Sequence, residues 1–175
     1  MQYLWAPWRS RYMEGKTTTA SCIFCDAARN PDDDERTLVV HRARHCFVIL
    51  NRYPYTSGHL MIVPYAHVAK LEAATQESIG ELMMLARQAE RVLEEIYKPD
   101  GLNLGMNLGV AAGAGIEQHL HLHVLPRWSG DANFMTTVGD SRVLPETLED
   151  TFRKLSRGFA AFPNPGTTGA AGQTS

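Results

Sequence analysis

From Gln118 to Leu125 polar and apolar side chains alternate, and three of the polar ones are His119, His121 and His123. A period of two belongs to a strand with one face buried and the other open. Leu120, Leu122 and Val124 are then committed to a core, and the three imidazoles share the opposite face, roughly 6.5 Å apart at two residues' rise. Such a strand needs a layer over its leucine face. Ser78 to Tyr97 offers one, because Ile79, Leu82, Met83, Ala86, Ala89, Leu93, Ile96 and Tyr97 recur at helical spacing. Ser78 with Glu81 has the form of a capping box, and Lys98-Pro99-Asp100-Gly101 ends the helix.

Other runs complete the sheet. Thr37–Val40 and Cys46–Leu50 read as two antiparallel strands, His59–Val63 as a third closed by Pro64, and Leu102–Leu108 as a fourth. Tyr53–Gly58 is a turn, Gly109–Gly115 a small-residue loop, and Asp26–Arg36 a polar loop whose acidic run Asp32–Glu35 is a solvated surface. Leu148, Phe152, Leu155 and Phe159 mark a second amphipathic helix after Pro145. The order predicts an antiparallel α+β domain with two main helices. Residues 1–20, with Trp5, Trp8, Arg9 and Arg11, read as an arm, 21–162 as one domain, and 163–175 as a disordered tail.

A length of 175 residues with 44% hydrophobic side chains suits a single core. The net charge of -2 gives no general attraction to a polyanion, so neither nucleic acid nor an anionic membrane is expected as a partner. No apolar run reaches the 18 or so residues of a membrane span, and the N-terminus has no basic region followed by an apolar stretch, which predicts a cytoplasmic protein. In a reducing compartment Cys22-x-x-Cys25 favours metal or redox chemistry over a structural disulfide, and its spacing is that of half a zinc site. Zinc, a redox dithiol and ordinary packing are its three readings. Cys46, inside an apolar strand, reads as core.

A neutral imidazole has one nitrogen free to attack when the other is held as a donor, for which a backbone carbonyl beside the strand suffices. Such a histidine can displace a phosphate leaving group and form a phosphoramidate, while its neighbours bind phosphate oxygens or donate a proton. A three-histidine metal site is the other functional reading. Geometry weakens it, because imidazoles in line along one strand converge poorly on one ion.

The row His119-x-His121-x-His123, followed by two apolar residues, is similar to the signature of the histidine-triad (HIT) family. Leu50–Pro54, Gly58–Pro64, Gly101–Asn103, Asn107–Gly109 and Leu125–Arg127 match the family's other landmarks in order, so the resemblance spans about Leu38 to Trp128. The Leu-Trp-Ala-Pro-Trp-Arg start and the stretch from Arg127 to Phe134 further resemble the diadenosine tetraphosphate phosphorylase and hydrolase branch.

The resemblance implies a homodimer that binds a nucleoside phosphate beside the row. It assigns His121 as the nucleophile at the α-phosphorus, giving a nucleotidyl-histidine released by water or by inorganic phosphate. His123 then contacts the α-phosphate, His59 orients the row, Asn51 holds the ribose and Asn107 binds near the scissile bond. Gly113 and Gly115 flank Ala114 in a loop suited to close backbone approach to phosphate. Gln118 completes the substrate-binding set, and it marks a departure. Phosphorylases of this branch carry Gly-Ser and Glu ahead of the triad where this chain has Ala114-Gly115 and Gln118, so hydrolysis, phosphorolysis and adenylyl transfer to another acceptor stay open. Relatives with the cysteine pair add the histidine after Pro-x-x and the first triad histidine as ligands, which makes Cys22, Cys25, His67 and His119 a structural zinc set. Trp128 has two readings, stacking on a base or packing. A nucleotide-binding sensor or interaction protein with little turnover is the alternative function.

Overall fold

Five short runs of mainly β-branched and aliphatic residues pair into a single antiparallel sheet, and two amphipathic helices cover one side of it. A computed structural model describes residues 22–131 and 145–162. The proposed arm at 1–20, the tail at 163–175 and the Ala132-Asn133-Phe134 end of the branch-like stretch lie outside the described residues.

Helix α1 spans Ile23–Arg29 and a short α2 spans Asp34–Thr37, with a 3-10 turn at Pro31–Asp33 between them. The strands are β1 Val39–Arg42, β2 Cys46–Leu50, β3 Leu60–Pro64, β4 Gly101–Gly105 and β5 Leu122–Arg127. The long helices are α3, Gln76–Tyr97, and α4, Leu148–Ala161. Strand order is β1-β2-β3-β5-β4.

Register decides which residues share a face. Leu50 pairs with Leu60, which pairs with Val124, and Val48 pairs with Ile62, which pairs with Leu122. Cys46 has the same parity as Val48 and Leu50, and its thiol donates to the Ser78 carbonyl of α3, so this face looks at the long helices. The His41 ring stacks on Phe159 of α4 at 5.3 Å. Alternate residues Phe47, Ile49, Met61 and His123 point to the other side, where α1 lies.

Several expectations are corrected. The Asp26–Arg36 loop is largely helical, because Arg42 binds Asp34 at 2.6 Å and also donates to the carbonyls of Ala27 and Ala28, tying α1 and α2 to β1. Asp34 is thus an ion-pair partner rather than a purely solvated charge. Helix α3 begins two residues before Ser78, where Thr75 accepts from the Ser78 N–H. Glu81 is free of capping duty and instead accepts from the backbone N–H groups of Arg44, His45 and Cys46, closing the β1–β2 turn. The buried stripe of α3 runs through Leu82, Leu85, Ala86, Ala89, Val92 and Leu93, leaving Met83 55% exposed. Strand β4 stops at Gly105, and β5 starts only at Leu122.

Candidate active site

The late start of β5 at Leu122 matters most for chemistry. His119 and His121 precede β5, and only His123 lies on it, opposite Met61 of β3. The chain just ahead of the strand is held by the Leu120 N–H on the Val68 carbonyl at 2.6 Å. Leu120, Leu122 and Val124 are buried, as the alternation requires. The three imidazoles do not form one open row. His119 turns toward the cysteine pair, whereas the rings of His121 and His123 meet nearly perpendicular at 4.9 Å.

The hydrogen bonds fix every tautomer in the group. The backbone N–H of Tyr55 donates to His59 Nδ1 at 3.2 Å, so the remaining proton of a neutral His59 sits on Nε2. That Nε2–H donates to His123 Nδ1 at 2.9 Å, which leaves His123 with its proton on Nε2. His121 is set the other way round. Its Nδ1–H donates to the carbonyl of His119 at 2.8 Å, and its Nε2 keeps a lone pair. One imidazole therefore presents an acceptor, and its neighbour presents a donor.

Burial keeps these rings neutral. It pushes His59 down to about 3, with the neighbouring His123 and His121 adding to the effect, and pushes His123 down to about 4, with His121 adding. His121 is lowered by burial and partly restored by its bond to the His119 carbonyl. Its ring is recessed, only 5% exposed.

A second cluster lies alongside. Cys22 and Cys25 at the start of α1, His67 after β3 and His119 bring their ligand atoms within 4.8 Å of one another. Cys22 Sγ is 3.3 Å and Cys25 Sγ 3.7 Å from His119 Nδ1, and Cys25 Sγ is 3.2 Å from His67 Nδ1. A tetrahedron with arms of about 2.0–2.3 Å has edges of about 3.5 Å, so the donor set fits a zinc ion. His119 Nε2–H donates to the Pro64 carbonyl at 2.8 Å, which leaves the Nδ1 lone pair for a metal. Four donors from three separated segments can hold a metal ion here.

A model of the HIT domain matches residues 33–130. The chain belongs to the histidine-triad (HIT) family. It is 41% identical over 169 residues to a Mycobacterium tuberculosis protein named AP-4-A phosphorylase, covering 93% of this chain and 87% of that one. It is 28% identical over 93 residues to the asymmetrical bis(5'-nucleosyl)-tetraphosphatase of Schizosaccharomyces pombe, over 53% of this chain and 50% of that one. Among solved structures, a zinc-bound histidine triad family protein from Mycobacterium smegmatis superposes with a TM-score of 0.65 at 26% identity, covering 81% of this chain and 95% of that one.

Of the other residues expected to form the site, Asn51 lies with His59, and the remaining four lie together on one connection. Asn51 follows β2, its Oδ1 accepts from the Tyr53 N–H at 2.9 Å, and its own N–H donates to the His59 carbonyl at 3.1 Å. Asn51 and His59 share a cavity of ≈ 210 Å³ with Ser57, Glu146 and Thr151. Asn107, Gly113, Gly115 and Gln118 all fall on the β4–β5 connection, where Gly113 has the positive φ of 88° that closes a 3-10 turn. Among the described residues, neither the Asn107 nor the Gln118 side chain makes a hydrogen bond to the histidines. Trp128 packs edge-on against Tyr97 at 6.4 Å.

Three contributors escaped the sequence reading. Tyr55, within the expected turn, packs its ring on His59 at 4.8 Å besides donating its backbone N–H to it. Pro64 supplies the carbonyl for His119, and Phe24 touches both His119 and His121. Only Phe24 carried a usable signal, its place inside Cys22-x-x-Cys25.

Proposed function

We propose that this HIT protein is a nucleotide phosphorylase or hydrolase that cleaves a dinucleoside polyphosphate at the α-phosphorus through a nucleotidyl-histidine at His121. The observation that carries the reading is the 2.8 Å bond from His121 Nδ1–H to the His119 carbonyl, which leaves Nε2 as a lone-pair nucleophile. In the first step a His121 Nε2–P bond forms and the P–O bond to the departing polyphosphate breaks. The imidazolium created is stabilised at Nδ1–H by the carbonyl dipole. His123 Nε2–H is the donor for a non-bridging phosphate oxygen. In the second step water or inorganic phosphate attacks, the N–P bond breaks, and His121 is neutral again. The names of the mycobacterial and yeast relatives support this substrate class.

Asn51 holds the ribose, Asn107, Gly113, Gly115 and Gln118 line the phosphate path, and His59 orients His123. Cys22, Cys25, His67 and His119 hold one structural zinc, whose role is to tie α1 to the strand ends. The domain runs over residues 21–162, and the protein works in the cytoplasm as a homodimer. The exposed edge strand β4, with Leu104, supports a second copy at that edge. Among the described residues no helix is long and apolar enough to cross a membrane.

The test is incubation with diadenosine tetraphosphate. ADP and ATP formed only with added phosphate mean phosphorolysis, whereas AMP and ATP mean hydrolysis. His121→Ala is expected to lower turnover by on the order of 10⁴-fold or more while nucleotide still binds. A variant that turns over like the parent removes His121 from the mechanism. Binding with no product from the unaltered protein points to a sensor.

A further inference from the structure

Phe24 lies within the metal-binding loop and against the nucleophile. It sits between Cys22 and Cys25 in the first turn of α1, and its ring is fully buried, 0% exposed. The ring meets His119 edge-on, with centroids 5.4 Å apart and planes at 79°. It meets His121 tilted, at 5.2 Å and 51°. On its other side His121 faces the ring of His123.

One hydrogen bond at Nδ1 fixes the tautomer of His121 but leaves its ring free to rock about that bond. Attack on phosphorus requires Nε2 to keep one direction, and a displacement of about 1 Å can cost about 10²-fold in rate. The stop to that rocking must come from packing, and among the described residues the two rings against His121 are Phe24 and His123. His123 is itself fixed by His59. Phe24 is fixed by α1, whose first turn carries the cysteines.

We propose that Phe24 is a positioning residue for His121: its ring sets the direction of Nε2, and its place between Cys22 and Cys25 makes that direction depend on the metal loop. The proposal rests on the reading of His121 as nucleophile for its effect on rate. Its geometric part concerns the ring alone.

The experiment compares wild type, Phe24→Leu and the core control Leu155→Val, all zinc-loaded. Phe24→Leu is expected to lower kcat on the order of 10- to 100-fold with KM changed less than about two-fold. Zinc content should stay at the parent's level, and Leu155→Val should keep the parent's kcat despite its lower stability. A second readout needs no turnover. In nitrogen–proton correlation spectra without nucleotide, His121 of the parent shows one Nδ1–H tautomer, and Phe24→Leu broadens or splits those ring signals while His41 is unmoved. If Phe24→Leu fails to fold, Phe24→Met, similar in volume without a flat face, takes its place with the same expected outcomes. Unchanged His121 ring signals in a folded variant overturn the proposal. A parent without turnover counts against the nucleophile reading, and the ring signals then decide the role of Phe24.

Discussion

The run of donors from Tyr55 through His59 to His123 works only while both imidazoles are neutral, since a second proton on His123 would sit at Nδ1, facing the Nε2–H of His59. Burial is what enforces neutrality, holding His59 at about 3 and His123 at about 4 against an ordinary 6.5. In the unfolded chain both take up protons near pH 6.5, whereas the folded protein refuses them until the pH nears 4 and then 3. The unfolded state thus binds more protons throughout that window, and stability rises with pH across it. The stabilisation is complete above about pH 6.5 and is lost as pH falls toward 4. Melting temperatures recorded from pH 7.5 to 4 should therefore decline below pH 6.5, and His123→Asn should flatten the decline. A melting temperature independent of pH in the parent would mean that these rings titrate normally.

Between elements, α4 packs tightly on α3 at Gly158. A Cβ on Gly158 would stand 2.7 Å from Ile96 Cδ1 and 2.7 Å from Val92 Cγ1. Val92 is fully buried and branched at Cβ, so it cannot move aside without disturbing the core. Gly158→Ala should cost about 1–3 kcal/mol in urea unfolding despite the better helix propensity of alanine. An unchanged midpoint would show that the helices separate easily. Glu81 offers a second check on element contacts. Its carboxylate serves three backbone donors of the β1–β2 turn. Glu81→Ala should destabilise by about 2–3 kcal/mol, far more than loss of a surface residue, as read from the same unfolding curves.

At the scale of the whole molecule, the cluster of Cys22, Cys25, His67 and His119 gathers α1, the end of β3 and the approach to β5. On the zinc reading, the ion is a cross-link between segments about 40 and 90 residues apart in sequence. Chelation should lower the melting temperature by about 5–10 °C and release one zinc per chain, with Cys22→Ser showing the lower value from the outset. A chelator that removes metal without shifting the transition would deny the ion a structural role. Because α1 also carries Phe24, the cysteine pair stands one residue from the ring that packs on His121.

How far the sequence reaches differs from residue to residue. Alternation placed Leu120, Leu122 and Val124 in the core, and helical spacing found both long helices, because burial on one face leaves a period that can be counted. The Asp26–Arg36 segment was not legible as helix, since Arg42, distant in sequence, supplies the partners that hold it. The capping box at Ser78 misled because Thr75 performs the capping and Glu81 has a better set of donors in a turn formed by another strand. The histidines themselves were plain in the sequence, and so was their two-residue period. Only the tertiary structure decided their division of labour: His119 turned to the cysteines, His121 held by a carbonyl, His123 by His59. Side-chain direction and tautomer depend on hydrogen-bond partners brought together by the fold, and no local pattern encodes them.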